Sequence, residues 1–252
     1  MPKFFVKNNQ IDEDKIIIKG EDVNHIINVL RKKNGEELQI CDFENGNNYI
    51  AEIIDYKKDI VECKIKKQIE SNTESNVNIT IFQGLPKFDK MELIIQKATE
   101  IGVGEIVPLK MKRCVVKLNE KDENKKIERW NKIAEIAAKQ SMRDRITKVD
   151  KVQSLKEICN RIAEFDEVLV AYENEKNNSL KKELKSIAKK EYYKIGIIIG
   201  PEGGIDEQEI KLLKENKKVK IVSLGNRILR TETAPLVMAS NIIYELENVD
   251  LA

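Results

Sequence analysis

Two short segments near the carboxyl terminus hold the residues best suited to chemistry. Residues 200–204 read Gly-Pro-Glu-Gly-Gly and directly follow the apolar segment 195–199. Glycine lets a ligand approach the backbone closely, so a glycine-rich turn after a strand predicts a binding site, with a tight strand-to-helix turn as the alternative. The spacing matches neither GxGxxG nor GxxxxGK[ST], which disfavours a Rossmann dinucleotide site and a P-loop.

The second segment, residues 224–235, reads Leu-Gly-Asn-Arg-Ile-Leu-Arg-Thr-Glu-Thr-Ala-Pro. It also follows a predicted strand and leads into a helix. Arginine is scarce in this chain, since only eight of the 45 basic residues are arginine, and two of them lie here. Arg230 beside Glu232 therefore suggests a fixed, bidentate role. The alternative is a helix N-terminus with an ion pair and a threonine cap.

The segments around these loops alternate between strand and helix patterns. Several of the strands are apolar throughout, which favours a mostly parallel sheet covered on both faces. The predicted strands are 77–83, 105–109, 167–172, 195–199 and 219–224, and the predicted helices are 89–101, 124–142, 154–163, 179–190, 206–216 and 235–246.

The amino-terminal residues show a different pattern, with short β-branched segments that indicate a small barrel. We expect one helix over 22–33, ended by Gly35, a hairpin turn at 45–48, and a polar linker at 69–78. The sequence thus predicts two domains, a small β-barrel over 1–70 and an α/β domain over 71–252. The predicted strands of the barrel are 16–18, 37–41, 49–54 and 60–65.

Composition excludes several classes of protein. The 252 residues carry a net charge of +2, which argues against a chain that is basic over its whole surface. The four cysteines form no CxxC pair and His25 is the only histidine, so we expect neither disulfides nor a metal site. The first residues lack a signal-peptide pattern, and the longest uncharged run is too short to span a bilayer. We therefore expect a soluble cytoplasmic protein with no membrane contact.

The two loops taken together resemble the SPOUT methyltransferases. The resemblance is closest to the bacterial family that methylates N3 of a uridine in 16S ribosomal RNA. It extends over nearly the whole chain in five ordered blocks, so chance similarity is excluded. Besides the two loops, the matching blocks are His25-x-x-x-Val-Leu-Arg31, residues 87–92 with 96–103, and residues 128–130 with 137–143.

The resemblance implies a fold and a set of partners. It implies a PUA-like RNA-binding domain at the amino terminus, and a carboxyl-terminal SPOUT α/β domain with a deep trefoil knot. It further implies a homodimer, S-adenosyl-L-methionine as cofactor, and the 16S RNA of the small ribosomal subunit as substrate. Because this cofactor has no phosphate, a glycine-rich backbone site with apolar walls suits it. The residues expected to bind the cofactor are Gly200, Pro201, Glu202, Gly203, Leu224, Gly225, Ile228, Leu229 and Thr231.

The chemistry of the expected reaction assigns the catalytic roles. Transfer of a methyl group from a sulfonium needs in-line geometry, and neither a metal nor a covalent enzyme intermediate. The N3 proton of uracil must leave, and negative charge then spreads onto the ring oxygens. We expect Glu232 or Glu202 to be the base and Arg230 to stabilise the charge, with Glu232 orienting Arg230 as the alternative.

A base inside structured RNA must be unstacked before it meets the donor. The surrounding RNA is then held through its shape and phosphates. The residues expected to contact RNA are His25, Arg31, Lys87, Lys90, Arg143 and Arg145.

Two other functions remain open from the sequence. One is a different SPOUT enzyme that acts on transfer RNA or on a ribose 2′-hydroxyl. The other is a noncatalytic RNA-binding or ribosome-assembly factor, although the intact residues 230–234 argue against a decayed active site.

Overall fold

A computed structural model describes residues 3–71 and 73–247. The chain forms two compact units. One consists of Met1–Glu74 with Ala138–Ile146, and the other of Ser75–Ala137 with Thr147–Ala252. The first unit therefore takes in a second, distant segment, which the predicted domain over 1–70 does not include.

A six-stranded sheet of mixed direction forms the first unit. Its strand order is β1-β4-β5-β6-β3-β2, in which only the β1–β4 pair is parallel. A buried cluster that includes Phe4, Ile16 and Leu38 forms its core. The predicted strands are present, and the sequence missed β1 and β2. The hairpin turn lies over 43–46, two residues earlier than predicted, because Asn47 and Asn48 already belong to a strand. The strands are β1 (Lys3–Val6), β2 (Ile11–Asp12), β3 (Lys15–Lys19), β4 (Glu37–Asp42), β5 (Asn47–Lys57) and β6 (Ile60–Ile69).

The helix of the first unit is shorter than the sequence predicts. Helix α1 (Glu21–Asn24) continues into a wider π-helical turn over His25–Val29. Arg31 adopts a left-handed backbone, with φ of 53°, so the chain leaves the helix four residues before Gly35. The expectation that Gly35 ends the helix is therefore wrong.

Residues Ala138–Ile146 are held in the first unit by buried polar contacts. Lys3 Nζ lies 2.6 Å from Asp144 Oδ1, and the two side chains are only 1% and 5% exposed. The same carboxylate accepts hydrogen bonds from Asn48 Nδ2 at 2.8 Å and Thr73 Oγ1 at 2.6 Å. The predicted linker at 69–78 is therefore anchored through Thr73, although its residue 72 lies outside the described residues.

The second unit is built on a parallel sheet with the order β10-β8-β7-β12-β11-β13, and β9 pairs with β8. Every strand pair in it is parallel, so the predicted class is confirmed. The central strands are buried because side chains such as Phe82, Phe165 and Ile198 pack on its faces. The strands are β7 (Val77–Gly84), β8 (Glu105–Lys110), β9 (Lys148–Val149), β10 (Gln153–Ser154), β11 (Glu167–Ala171), β12 (Tyr193–Ile199) and β13 (Val219–Val222).

The helices of this unit begin at the residues that favour helix starts. Ser154 and Asp206 each cap a helix through a capping box, and Pro235 lies in the first turn of the last helix. The main differences from the prediction are at helix ends; for example, the long helix starts four residues earlier. The helices are α2 (Lys90–Ile101), α3 (Glu120–Gln140), α4 (Leu155–Arg161), α5 (Leu180–Ser186), α6 (Glu207–Lys214) and α7 (Ala234–Leu246).

The parallel sheet brings four loops to one edge. Strands β7, β11, β12 and β13 are neighbours and run in the same direction, so their carboxyl ends lie together. Both glycine-containing loops of the sequence analysis leave from this edge. In open α/β sheets this edge is where ligands bind. Among the described residues, no helix is long and apolar enough to cross a membrane.

Replacing Lys3 with Met should lower the free energy of unfolding by about 3–5 kcal/mol, because the buried Asp144 carboxylate would lose its cation. Denaturant unfolding at pH 7 measures this. The matched control is Lys64→Met, which breaks an exposed pair with Asp14 and should cost less than about 1 kcal/mol. Equal losses in the two variants would contradict the role given to Lys3.

The same pair predicts a pH dependence. Burial acts to raise the pKa of Asp144, but hydrogen bonds from Lys3 and Thr73 outweigh it and hold that pKa below its usual value. The stabilisation is therefore fully present above the pKa of an unfolded aspartate and is lost as the pH falls through the lower native pKa.

Candidate active site

A cavity of about 790 Å³ opens at the carboxyl edge of the parallel sheet. Its walls come from the loops that follow β11, β12 and β13. Leu224 and Leu229 are partly buried there, whereas Ile228 is 88% exposed although it lines the cavity. The lining includes all of the residues that the sequence predicts for cofactor binding, namely Gly200, Pro201, Glu202, Gly203, Leu224, Gly225, Ile228, Leu229 and Thr231.

Two of the glycines are closely packed against other residues of the protein. A Cβ at Gly200 would lie 2.9 Å from Ile205 Cγ1, and a Cβ at Gly203 would lie 3.1 Å from Arg113 Cβ. Gly225 differs, because its φ is 111° and a Cβ added there would meet no atom within 4 Å. The tight-turn alternative thus explains the first two glycines, and Gly225 keeps its backbone open toward the cavity.

A buried hydrogen-bond chain joins the loops at this edge. Thr231 Oγ1 donates to Gly200 O at 2.7 Å and accepts from Gln83 Nε2 at 3.0 Å. Gln83 is fully buried at the end of β7. The next residue, Gly84, faces Pro201 so closely that a Cβ there would lie 2.6 Å from Pro201 N. Thr231 therefore fixes the loop after β13 to the strand ends of β7 and β12.

Lys90 lies between the two candidate carboxylates. Its Nζ is 3.0 Å from Glu202 Oε1 and 3.2 Å from Glu232 Oε2. Glu202 Oε1 also accepts the backbone N–H of Lys87 at 3.0 Å. The start of α2 is thereby connected to both glycine-containing loops through one ammonium group.

The two carboxylates differ in their hydrogen-bond partners. Burial acts to raise the pKa of Glu202, but the Lys90 hydrogen bond and backbone amides, including that of Lys87, hold it below its usual value. The Glu202 hydrogen bond in turn raises the pKa of Lys90. A carboxylate with a lowered pKa is a poor proton acceptor. Both carboxylates contact Lys90, but Glu202 also accepts the Lys87 backbone N–H, so among the described residues Glu232 is the less restrained carboxylate.

Arg230 does not pair with Glu232. The Arg230 side chain is exposed on the cavity wall, and no carboxylate in residues 3–71 or 73–247 forms an ion pair with it. The Glu232 side chain is directed to Lys90 instead. The alternative in which Glu232 orients Arg230 therefore finds no contact to support it, and the Arg230 guanidinium is accessible to a ligand.

The residues predicted to contact RNA lie in both units. In the first unit, the side chains of His25, Arg31 and Arg145 are exposed. Arg143 is only 3% exposed and its Nη2 lies 2.6 Å from Glu74 Oε2, so its guanidinium has a structural partner. In the second unit, Lys87 and Lys90 lie at the start of α2, beside Glu202.

The sequence analysis missed several residues of this site. Gln83 and Gly84 carry a visible signal, because a glutamine followed by glycine comes directly after the apolar residues Ile81 and Phe82. Arg113 Nη1 donates to Gly203 O at 3.1 Å, and Glu173 lies against Gly204 on the cavity wall. No pattern in the sequence links Arg113 to Gly203, 90 positions away, or Glu173 to Gly204 in another loop, since only the fold brings them together.

Comparison with known proteins decides the family. A model for an RNA methyltransferase domain matches residues 73–243, and one for an RNA methyltransferase PUA domain matches residues 18–66. The chain is 39% identical over 252 residues to the ribosomal RNA small subunit methyltransferase E of Bacillus subtilis strain 168, covering 98% of each protein. This chain belongs to the ribosomal RNA small subunit methyltransferase E family. The predicted resemblance, the PUA-like amino-terminal domain and the RNA methyltransferase class are confirmed.

Solved structures of two related proteins share this fold. One from Neisseria gonorrhoeae, bound to S-adenosyl methionine, is 29% identical with a TM-score of 0.84, over 98% of this chain and 99% of that one. A putative methyltransferase from Legionella pneumophila, also with bound cofactor, is 28% identical with a TM-score of 0.82 over 98% of both chains.

Replacing Thr231 with Val should lower the free energy of unfolding by about 1–3 kcal/mol, since the buried Gln83 amide and Gly200 carbonyl would each lose a partner. Denaturant unfolding measures the change. Thr231→Ser keeps the hydroxyl and should recover most of the stability. A serine variant as unstable as the valine variant would show that the methyl group, and not the hydrogen bonds, carries the effect.

Replacing Lys90 with Met should raise the pKa of Glu202, because the ammonium that favours its ionised form would be gone. An NMR titration of the Glu202 side-chain carboxyl carbon measures the midpoint. The matched control, Lys97→Met, removes the exposed partner of Glu100 and should leave that midpoint unchanged. A midpoint that does not move in the Lys90 variant would refute the electrostatic role of Lys90.

Proposed function

We propose that this enzyme transfers the methyl group of S-adenosyl-L-methionine to N3 of one uridine in the 16S RNA of the small ribosomal subunit. The observation that carries the proposal is the cavity at the carboxyl edge of the sheet, where Arg230 and Glu202 line the space between the two glycine-containing loops. Lys90 connects Glu202 to Glu232 beside it. The names of the relatives and the cofactor bound in the gonococcal structure agree with it.

The cavity suits this cofactor in size and chemistry. Its volume of about 790 Å³ lies within the range of small-molecule sites, roughly 300–1,000 Å³. Leu224 and Leu229 would supply apolar walls, the backbone near Gly225 would supply polar groups, and Glu173 offers a negative charge to a cationic ligand. When bound, the cofactor supplies an electrophilic methyl group on a sulfonium.

The other catalytic roles belong to side chains of this protein. Glu232 is the proton acceptor for uracil N3, since Glu202 has the lowered pKa and more hydrogen-bond donors around it. Glu202 anchors Lys90, and Lys90 holds Glu232 in place. Arg230, accessible on the cavity wall, stabilises the charge that develops on the uracil oxygens.

RNA recognition is assigned to basic residues of both units. In the first unit His25, Arg31 and Arg145 are exposed, which supports their proposed contact with RNA. In the second unit Lys87 is placed beside Glu202 through its backbone and is the lysine that we assign to phosphate contact. We leave Arg143 out of this set, because its ion pair with Glu74 is buried.

The finer features of the fold and assembly remain part of the proposal. We infer a deep trefoil knot. It is supported by the hydrogen bond from Thr231, in the loop of 224–233, to the Gly200 carbonyl at the end of β12. We also infer closure of the first sheet into a barrel, a homodimer, and a cytoplasmic location, where the proposed ribosomal substrate is found. The division at residues 70 and 71 stays a prediction.

Incubation with labelled S-adenosyl-L-methionine and unmodified small subunits tests the proposal, followed by mapping of the labelled nucleotide. Label at N3 of one 16S uridine is the expected result. Label in transfer RNA or on a ribose hydroxyl would indicate the other SPOUT activity. RNA binding without any label would indicate a noncatalytic factor.

The catalytic roles predict distinct losses of kcat at saturating cofactor. Glu232→Gln should lower kcat about 100-fold or more, because it removes the base. Arg230→Ala should lower it about 100- to 1,000-fold through lost charge stabilisation. Glu202→Gln keeps a hydrogen-bond acceptor for Lys90 and should lose less than about tenfold. Single-turnover methylation of small subunits measures all three. Near-wild-type rates in the Glu232 and Arg230 variants would refute the assignment.

A further inference from the structure

The loop between β7 and α2 carries an aromatic ring that the fold does not use. Phe88 is 86% exposed, so its ring contributes almost nothing to the core. Its backbone is left-handed, with φ of 55°. This conformation is unfavourable for a bulky side chain. A single exposed apolar residue is ordinary, but one that also strains its backbone has no structural explanation here.

The loop on either side of Phe88 is held rigidly. Leu85 and Pro86 are buried, and Leu85 N donates to Leu109 O at 3.0 Å. Lys87 N donates to Glu202, and the Lys90 ammonium contacts both candidate carboxylates. The strained backbone is therefore maintained by the same contacts that assemble the active site.

These contacts also place Phe88 at the site. Glu202 lines the cavity, and the residue before Phe88 is hydrogen-bonded to the Glu202 carboxylate. The Lys87 side chain is half-buried, and within the described parts of the chain no carboxylate forms an ion pair with it. An exposed aromatic ring next to an unpaired cation is the combination that single-stranded RNA binders use, with a base on the ring and a phosphate on the cation.

We infer that Phe88 is a substrate-contacting residue that stacks on an unstacked base of the RNA at the entrance to the active site. Lys87 pairs with the adjoining phosphate. The inference rests on the proposed function for the identity of the RNA. A rigid loop presents the ring without loss of loop entropy on binding, which strengthens the contact.

The test uses the full chain with unmodified small ribosomal subunits. Phe88→Gly removes the ring and also relieves the left-handed backbone, so its melting temperature should be no lower than that of the wild type. Its affinity for the subunits should fall about 5- to 100-fold, the range expected for loss of one base–aromatic stack. Phe88→Trp should stay within about threefold, since it keeps a ring for stacking. Subunit binding is measured by filter retention, and binding of S-adenosyl-L-methionine by calorimetry.

Tyr192→Ala is the matched control. Tyr192 is also an exposed aromatic residue of this unit, but it precedes β12 and therefore lies at the opposite edge of the sheet. Its loss should leave subunit affinity unchanged. Wild-type affinity in Phe88→Gly would overturn the inference. Weaker cofactor binding, or an altered oligomeric state in sedimentation, would overturn it as well, because Phe88 would then have a structural role. Absence of methylation by the wild type would refute the proposed function alone, since subunit binding still decides the role of Phe88.

Discussion

The site depends on one buried hydroxyl. Thr231 both donates to the Gly200 carbonyl and accepts from the Gln83 amide, so three segments distant in sequence share one hydrogen-bond chain. Buried polar groups need partners, and the Thr231 hydroxyl finds both of its partners in other segments of the chain. The close approach of Gly84 and Pro201 reinforces that arrangement, because a side chain at position 84 would have no room.

A second constraint is electrostatic, because the Lys90 ammonium group binds one carboxylate from each of the two loops. Lys90 holds Glu202 and Glu232 at nearly equal distances, so each carboxylate limits the movement of the other. Two neighbouring carboxylates without a cation would repel each other. The Lys90 ammonium offsets this repulsion and holds both loops in position. The reactive geometry is thus prepared before any ligand enters, which is how positioning contributes to rate.

Much of this could be predicted from the sequence, and the remainder could not for physical reasons. Alternation of apolar strands and helices predicted the parallel sheet, and glycine-rich turns after strands predicted the cavity. The partner of Glu232 was not predictable, because Arg230 is near it in sequence whereas Lys90 is near it in space. Local spacing likewise favoured Gly35 as the helix end. The helix instead ends before Arg31, because Arg31 adopts the left-handed conformation.

The membership of Ala138–Ile146 in the first unit has a consequence for synthesis of the chain. Vectorial translation exposes the amino-terminal strands long before the ribosome reaches Asp144, and Lys3 has no buried carboxylate to meet until then. The hydrogen bond from the Cys41 thiol to the Asp144 carbonyl also cannot form until this segment has been synthesised. The amino-terminal unit can therefore reach its final packing only after more than half of the polypeptide has emerged. Although its strands are synthesised first, the first unit completes its folding only after part of the second unit has been synthesised.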